Sequence, residues 1–149
     1  MICPGRKEYL VYLGIIRGWR AQEVEMKTMP NTLEQIRFTT RVLGPTAAYR
    51  LEKHEVTQTL QSDSSSITEA VLNGRVSAGD RLEVVLDGIP VGHAKLVSMD
   101  AVTWEALGIE DARRGGFDNL DDLELALKQA GYRFKPLNQY ELYRIQFAW

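Results

Sequence analysis

The stretch GDRLEVVLDGIPVGHAKLV, residues 79–97, carries the most legible structure in the chain. Leu82, Val84 and Leu86 alternate with Arg81, Glu83 and Val85, the period of two that sends successive side chains to opposite faces of a strand. Asp87-Gly88 then offers the positive φ angles of a tight hairpin turn. Pro90 has no amide proton to give to a ladder, so it belongs at the beginning of the returning strand or at an edge. Strand, turn, strand is the unit from which the rest is read.

Upstream, QIRFTTRVL (residues 35–43) alternates β-branched and aromatic residues with polar ones and predicts a half-buried strand. After the Gly44-Pro45 turn, AYRLEKHEVTQTLQ (residues 48–61) fits a strand or a helix, with Thr57 and Thr59 favouring the strand. SDSSS (residues 62–66) is a surface loop, and Ser66 with Glu69 predicts a capping box opening a helix near residues 66–73, ended by Gly74. Beyond Asp100 the period becomes helical. Trp104, Leu107 and Ala112 form one short apolar face, and a second helix runs from an Asn119 cap to Gly131. Its Leu120, Leu123 and Leu127 share a face, with Asp121 and Asp122 at the positive helix start. YELYRIQFAW (residues 140–149) closes the chain as a strand. Several strands with short connections and small helices, without a strand-helix-strand repeat, predict an α+β domain with a curled or barrel-like, mostly antiparallel sheet.

A chain of 149 residues fits one domain, and its 44% hydrophobic content suffices for a core. Residues 1–30 read as a separate N-terminal piece, either a peripheral or poorly ordered extension or upstream sequence that a later start at Met26 or Met29 would omit. The domain then spans residues 31–149. The net charge of −2 does not attract polyanions, so any nucleic-acid role rests on a local patch. Cys3 has no partner cysteine, which points to a reducing cytoplasm, and no apolar run reaches the roughly 18 residues of a membrane span.

His54 and His93 lie far apart and bring no further ligands, so no metal site and no cofactor are expected. A G-x-S-x-G elbow and a phosphate loop are both missing from the sequence. The informative pattern is basic residues among aromatics: GYRFKPLNQYELYR sets Arg133, Lys135 and Arg144 among Tyr132, Phe134, Tyr140 and Tyr143. Such a set stacks unpaired bases and neutralises phosphates, or else packs a core with solvated charges. Arg37 and Arg41, four apart with Thr39 between, fall on one face of the expected strand and either grip phosphate or pair with carboxylates.

The run GDRLEVVLDG, then HAKLVSMDAVTWEAL, then EDARRGGFDNLDDLELALKQAGYRF and YELYRIQF resembles the ASCH domain, a PUA-like family, over residues 67–147. Gly79-Asp80, Gly116-Phe117 and the final strand carry the resemblance together. It implies a small β-barrel bordered by short helices, with a cleft for RNA or a nucleotide-like ligand. In DARRGGFDNLDDL (residues 111–123) the glycines permit a sharp turn, Phe117 plugs the core, and Arg113 and Arg114 remain near the rim. The resemblance thus makes Arg37, Arg41, Arg75, Arg113, Arg114, Arg133 and Lys135 candidate phosphate contacts and Tyr132 the stacking candidate. Some family members hydrolyse acylated cytidine with a lysine and a threonine from a Gly-Lys-Lys-Thr type stretch. Here the comparable place reads Asn73-Gly74-Arg75-Val76-Ser77. An amidohydrolase would therefore have to assemble Lys53, Thr39 and a carboxylate such as Glu83 in one closed pocket. A protein-interaction domain using exposed aromatics is the third reading. The ligand, the oligomeric state and any catalysis stay open at this level.

Overall fold

The computed structural model describes residues 33–134 and 142–149; the extension assigned to residues 1–30 and the candidate Lys135 lie outside the described residues. In chain order the elements are β1 (Gln35–Phe38), α1 (Thr40–Leu43), α2 (Pro45–Glu52), β2 (Gln58–Ser62), α3 (Ser66–Leu72), β3 (Arg81–Leu86), β4 (Ile89–Val102), a 3-10 turn (Trp104–Ala106), α4 (Ile109–Arg114), α5 (Leu120–Gln129) and β5 (Leu142–Ala148). The expected α+β class holds.

The hairpin forms as its alternation requires. β3 and β4 pair antiparallel through Asp87-Gly88, both at positive φ (52° and 81°). β4 is long enough to pair with β3 along its first half, to Lys95, and with β5 along its second half, from Lys95 to Val102. A register shift between Leu96 and Ser98 bends it, as an extra residue in one strand of a pair does. The described sheet runs β1-β3-β4-β5-β2, with β1 parallel to β3 and every other pair antiparallel. β1 and β2 are its edges, and no ladder joins them among the described residues, so the sheet is not closed into the barrel that the resemblance implies.

Two expectations change upstream of the hairpin. QIRFTTRVL is a strand only to Phe38, because Thr39, its backbone still extended, caps α1, its Oγ1 accepting from the Val42 N–H at 3.3 Å. Thr40 is drawn off as well: its N–H and hydroxyl donate to the Asp87 carboxylate at 2.9 and 2.6 Å. AYRLEKHEVTQTLQ is both of its alternatives in succession, helix to Glu52 and strand from Gln58, reversing at His54 with φ 62°. The cap of α3 is Ser65, whose side chain accepts from the Thr68 N–H, rather than Ser66. α5 follows the expected bounds, with Asn119 accepting from the Asp122 N–H at 2.8 Å.

Two apolar clusters fill the domain. One gathers Ile36, Leu51, Leu82, Val84, Ile145 and Phe147 with α3 residues; the other gathers Leu107, Ala112, Phe117, Leu123, Leu127 and Leu142. α2 serves both, since Ala48 and Leu51 belong to the first and Ala47 to the second. Phe117 plugs its cluster as expected from the sequence, and the turn before it admits only glycine comfortably. Gly116 sits at φ 94°, and a Cβ there would lie 2.9 Å from Val56 Cγ2. Gly116→Ala is expected to cost roughly 2 kcal/mol, from left-handed backbone strain together with crowding. Urea unfolding should show a lower midpoint at unchanged slope, and an unchanged midpoint would contradict the packing described.

Candidate functional site

The two edges of the sheet meet the solvent at a common opening. Arg37 and Phe38 of β1 and residues 58–62 of β2 line one cleft of about 670 Å³, which α1, α4, α5 and Tyr132 complete. The sheet therefore curls until its edge strands border a single gap. That volume is in the range of pockets that take small organic ligands.

Of the basic candidates, two line this cleft. Arg37 arrives from β1, its Nε donating to Gln35 Oε1 at 2.9 Å, and Arg41 arrives from α1. The two do not share a strand face, as the spacing of four had implied; the helix that Thr39 caps carries Arg41 to the cleft instead. Neither has a carboxylate within ion-pair distance among the described residues. Thr39 and Tyr132 line the cleft too, and the Tyr132 ring meets Phe134 edge-on at 4.8 Å. The remaining candidates lie elsewhere. Arg75 pairs with Glu34 at 3.6 Å, and Arg113 pairs with Glu110 at 3.2 Å on the exposed side of α4. Arg114 is exposed and contributes its carbonyl, which accepts from the Thr57 N–H at 2.8 Å. Arg133 is exposed and not part of the lining.

The trio required for an amidohydrolase is dispersed. Thr39 is in the cleft, Lys53 lies over the Tyr49 ring at 5.3 Å, and Glu83 accepts from the Gln35 amide at 2.8 Å. The large exposed apolar side chains among the described residues, Tyr49, Leu72, Ile89, Val97, Ile109 and Leu125, are spread over five elements. Among the described residues no three His, Cys, Asp or Glu side chains group as a metal site would need.

The depth of the cleft holds what sequence reading missed. Gln58 and Asp111 line it while exposing only 1% and 7% of their surface. Asp111 Oδ1 accepts from Gln58 Nε2 at 3.0 Å and from Arg144 Nη1 at 3.1 Å, and its Oδ2 accepts from the Gly108 N–H at 2.9 Å. Gln58 Oε1 in turn accepts from Gln146 at 3.1 Å, and Arg144 grips Asp100 through two further bonds of 3.2 and 2.7 Å. These contacts fix the Gln58 amide, since its nitrogen must face a carboxylate and its oxygen must face a donor. Burial pushes the Asp111 carboxyl upward, but the Gly108 N–H, the Gln58 amide and the Arg144 guanidinium outweigh it, so Asp111 stays below its ordinary 3.8. The Asp100 hydrogen bonds are the main reason that Arg144 holds its proton more tightly than usual. The signal for this network was in the opening residue of DARRGGFDNLDDL: the aspartate, rather than the arginines, faces the cleft.

No protein-family model matches the chain. No curated protein matches it in sequence. Among solved structures it is similar to protein EF3133 from Enterococcus faecalis V583, described with the family model DUF984, at 18% identity and a TM-score of 0.52 over 79% of this chain and 81% of that one. It is also similar to an ASCH domain from Lactobacillus crispatus JV V101, at 13% identity and a TM-score of 0.49 over 75% of this chain and 78% of that one. The likeness to EF3133 shows a shared fold.

The network has a pH signature. A carboxylate held below its unfolded value contributes stability that is complete above about pH 4 and is lost as the pH falls through the folded value. Asp111→Asn removes that contribution, so the stability gap between the two proteins should be widest near neutrality and should close as the pH falls through the lowered folded value. Thermal unfolding across that range reads it. A gap that is constant with pH would mean that Asp111 does not fold as a paired carboxylate.

Proposed function

We propose that this domain is an ASCH-like, PUA-like module that binds RNA or a nucleotide-like ligand in the cleft between its two edge strands. One observation carries the reading: Arg37 and Arg41, unpaired with any carboxylate among the described residues, line one cleft with Tyr132. Cations without carboxylate partners are available to phosphate, and an aromatic ring in the same cleft offers a base a stacking surface. The barrel implied by the resemblance, with β1 and β2 as the edges that closure would join, belongs to the same proposal, as do a domain spanning residues 31–149 and a cytoplasmic location.

The distribution of charge narrows the ligand. Arg75, Arg113, Arg114 and Arg133 are outside the cleft lining, so among the described residues the basic side chains do not form one continuous groove for a duplex. Two phosphate contacts suit a mononucleotide or a short single-stranded segment. With two contacts on a single strand, log affinity should fall against log salt with a slope of roughly −1.4, far shallower than for an extended basic groove.

Fluorescence anisotropy with a labelled short single-stranded RNA across a salt series tests this. Arg37→Ala with Arg41→Ala is expected to weaken binding by about tenfold or more, as loss of charged hydrogen bonds does, and to flatten the salt slope. Arg113→Ala with Arg114→Ala should leave both within experimental scatter. The reverse ranking, or no binding by the unaltered protein at low salt, would overturn the proposal.

A further inference from the structure

The cleft has a second wall of opposite chemistry. Beyond β2 the chain turns at residues 62–65, closed by the Ser65 N–H donating to the Ser62 carbonyl at 3.3 Å. All four residues of this turn line the cleft. The Ser62 and Ser64 hydroxyls bond to each other at 2.9 Å. Asp63 between them is exposed, and its carboxylate has neither an ion pair nor a hydrogen bond among the described residues.

A free carboxylate is out of place in a site that takes phosphate alone, since it repels the ligand that Arg37 and Arg41 attract. It is well placed opposite a part of the ligand that is neutral and donates hydrogen bonds. In a nucleotide that part is the sugar, whose hydroxyls donate, whereas its phosphates at neutral pH only accept. We infer that Asp63, flanked by the Ser62 and Ser64 hydroxyls, is the sugar-reading residue of the cleft and accepts a hydrogen bond from a ribose 2′-hydroxyl. This rests on the proposed function and adds a specificity to it. The 2′-hydroxyl is the group by which a protein distinguishes RNA from DNA at a given nucleotide. An ionised acceptor makes the discrimination strong, because a hydrogen bond to a charged group contributes more than a neutral one. The arginines hold the anion, and the carboxylate requires that it carry a ribose.

The test compares labelled single-stranded RNA and DNA of one sequence by anisotropy. The unaltered protein is expected to favour RNA by about tenfold or more, the effect of one charged hydrogen bond. Asp63→Ala should bring the two affinities together, by weakening RNA and by easing the repulsion felt by DNA. Asp63→Asn keeps an acceptor and should retain part of the preference. Because Asp63 is an exposed turn residue, circular dichroism should be unchanged in both variants. Competition with the four ribonucleoside 5′-monophosphates identifies the source of the ribose: displacement means that a single nucleotide fills the site, and its absence means that the strand does. Equal binding of RNA and DNA by the unaltered protein, or a preference untouched by Asp63→Ala, would overturn the inference while leaving the arginine contacts standing. Binding of neither would overturn the proposed function and this inference together.

Discussion

A buried carboxylate with three donors is the interaction on which the arrangement of this domain depends. Asp111 lies in α4, yet its partners come from β2, from β5 and from the residue before its own helix. A charge taken out of water is costly unless hydrogen bonds and an opposite charge replace its hydration. Asp111 has both, and its satisfaction ties a six-residue helix to the sheet. α4 then delivers Gly115 and Gly116, the turn that seats Phe117, and so determines where α5 begins. Without that tie the wall of the cleft formed by α5 would be positioned by apolar packing, which is not directional, and by the contacts of Arg50 to Gly116 and Asp118.

The opposite wall is set by a second, smaller polar clasp. The hairpin turn brings Asp87 to Thr40, and the hydrogen bond from the Thr40 hydroxyl, followed by that from its backbone N–H, lowers the Asp87 pKa. Thr39 caps the four-residue helix that follows. A helix this short has almost no stability of its own; its cap and the Asp87 clasp hold it against the sheet. Arg41 reaches the cleft because of that clasp. Arg50 performs the corresponding task behind the Phe117 turn, donating to the Gly116 carbonyl at 3.0 Å and pairing with Asp118 at 2.9 Å.

What was legible in the sequence was what depends on local pattern. The hairpin, the Asn119 cap, the amphipathic α5 and the final strand follow from periodicity and turn chemistry. The fate of QIRFTTRVL was not legible, because Thr39 and Thr40 satisfy strand preference locally, while Thr39 caps a helix and Thr40 is held by an aspartate 47 residues away. The cleft was legible in part. Arg37, Arg41, Thr39 and Tyr132 were named, but the sequence held equally basic positions at Arg75, Arg113 and Arg114, and only tertiary structure distinguishes arginines on the exposed surface from those lining a gap. Gln58 and Asp111 were passed over because a glutamine in a strand and an aspartate in a helix first turn each have an ordinary local explanation. Their conjunction with Arg144 comes from strand pairing, in which β2 lies against β5 with Leu60 opposite Arg144.

The proposed route for ligand lies between the two edge strands. An amide-resolved NMR titration of the full chain with a short single-stranded RNA tests it most directly. Shifts are expected to concentrate at Arg37, Thr39, Arg41, Asp63, Ser64 and Tyr132, with Gln58 and Asp111 following as the depth of the cleft responds. Shifts concentrated instead at Arg75, Arg113 and Arg114, with the cleft silent, would contradict it.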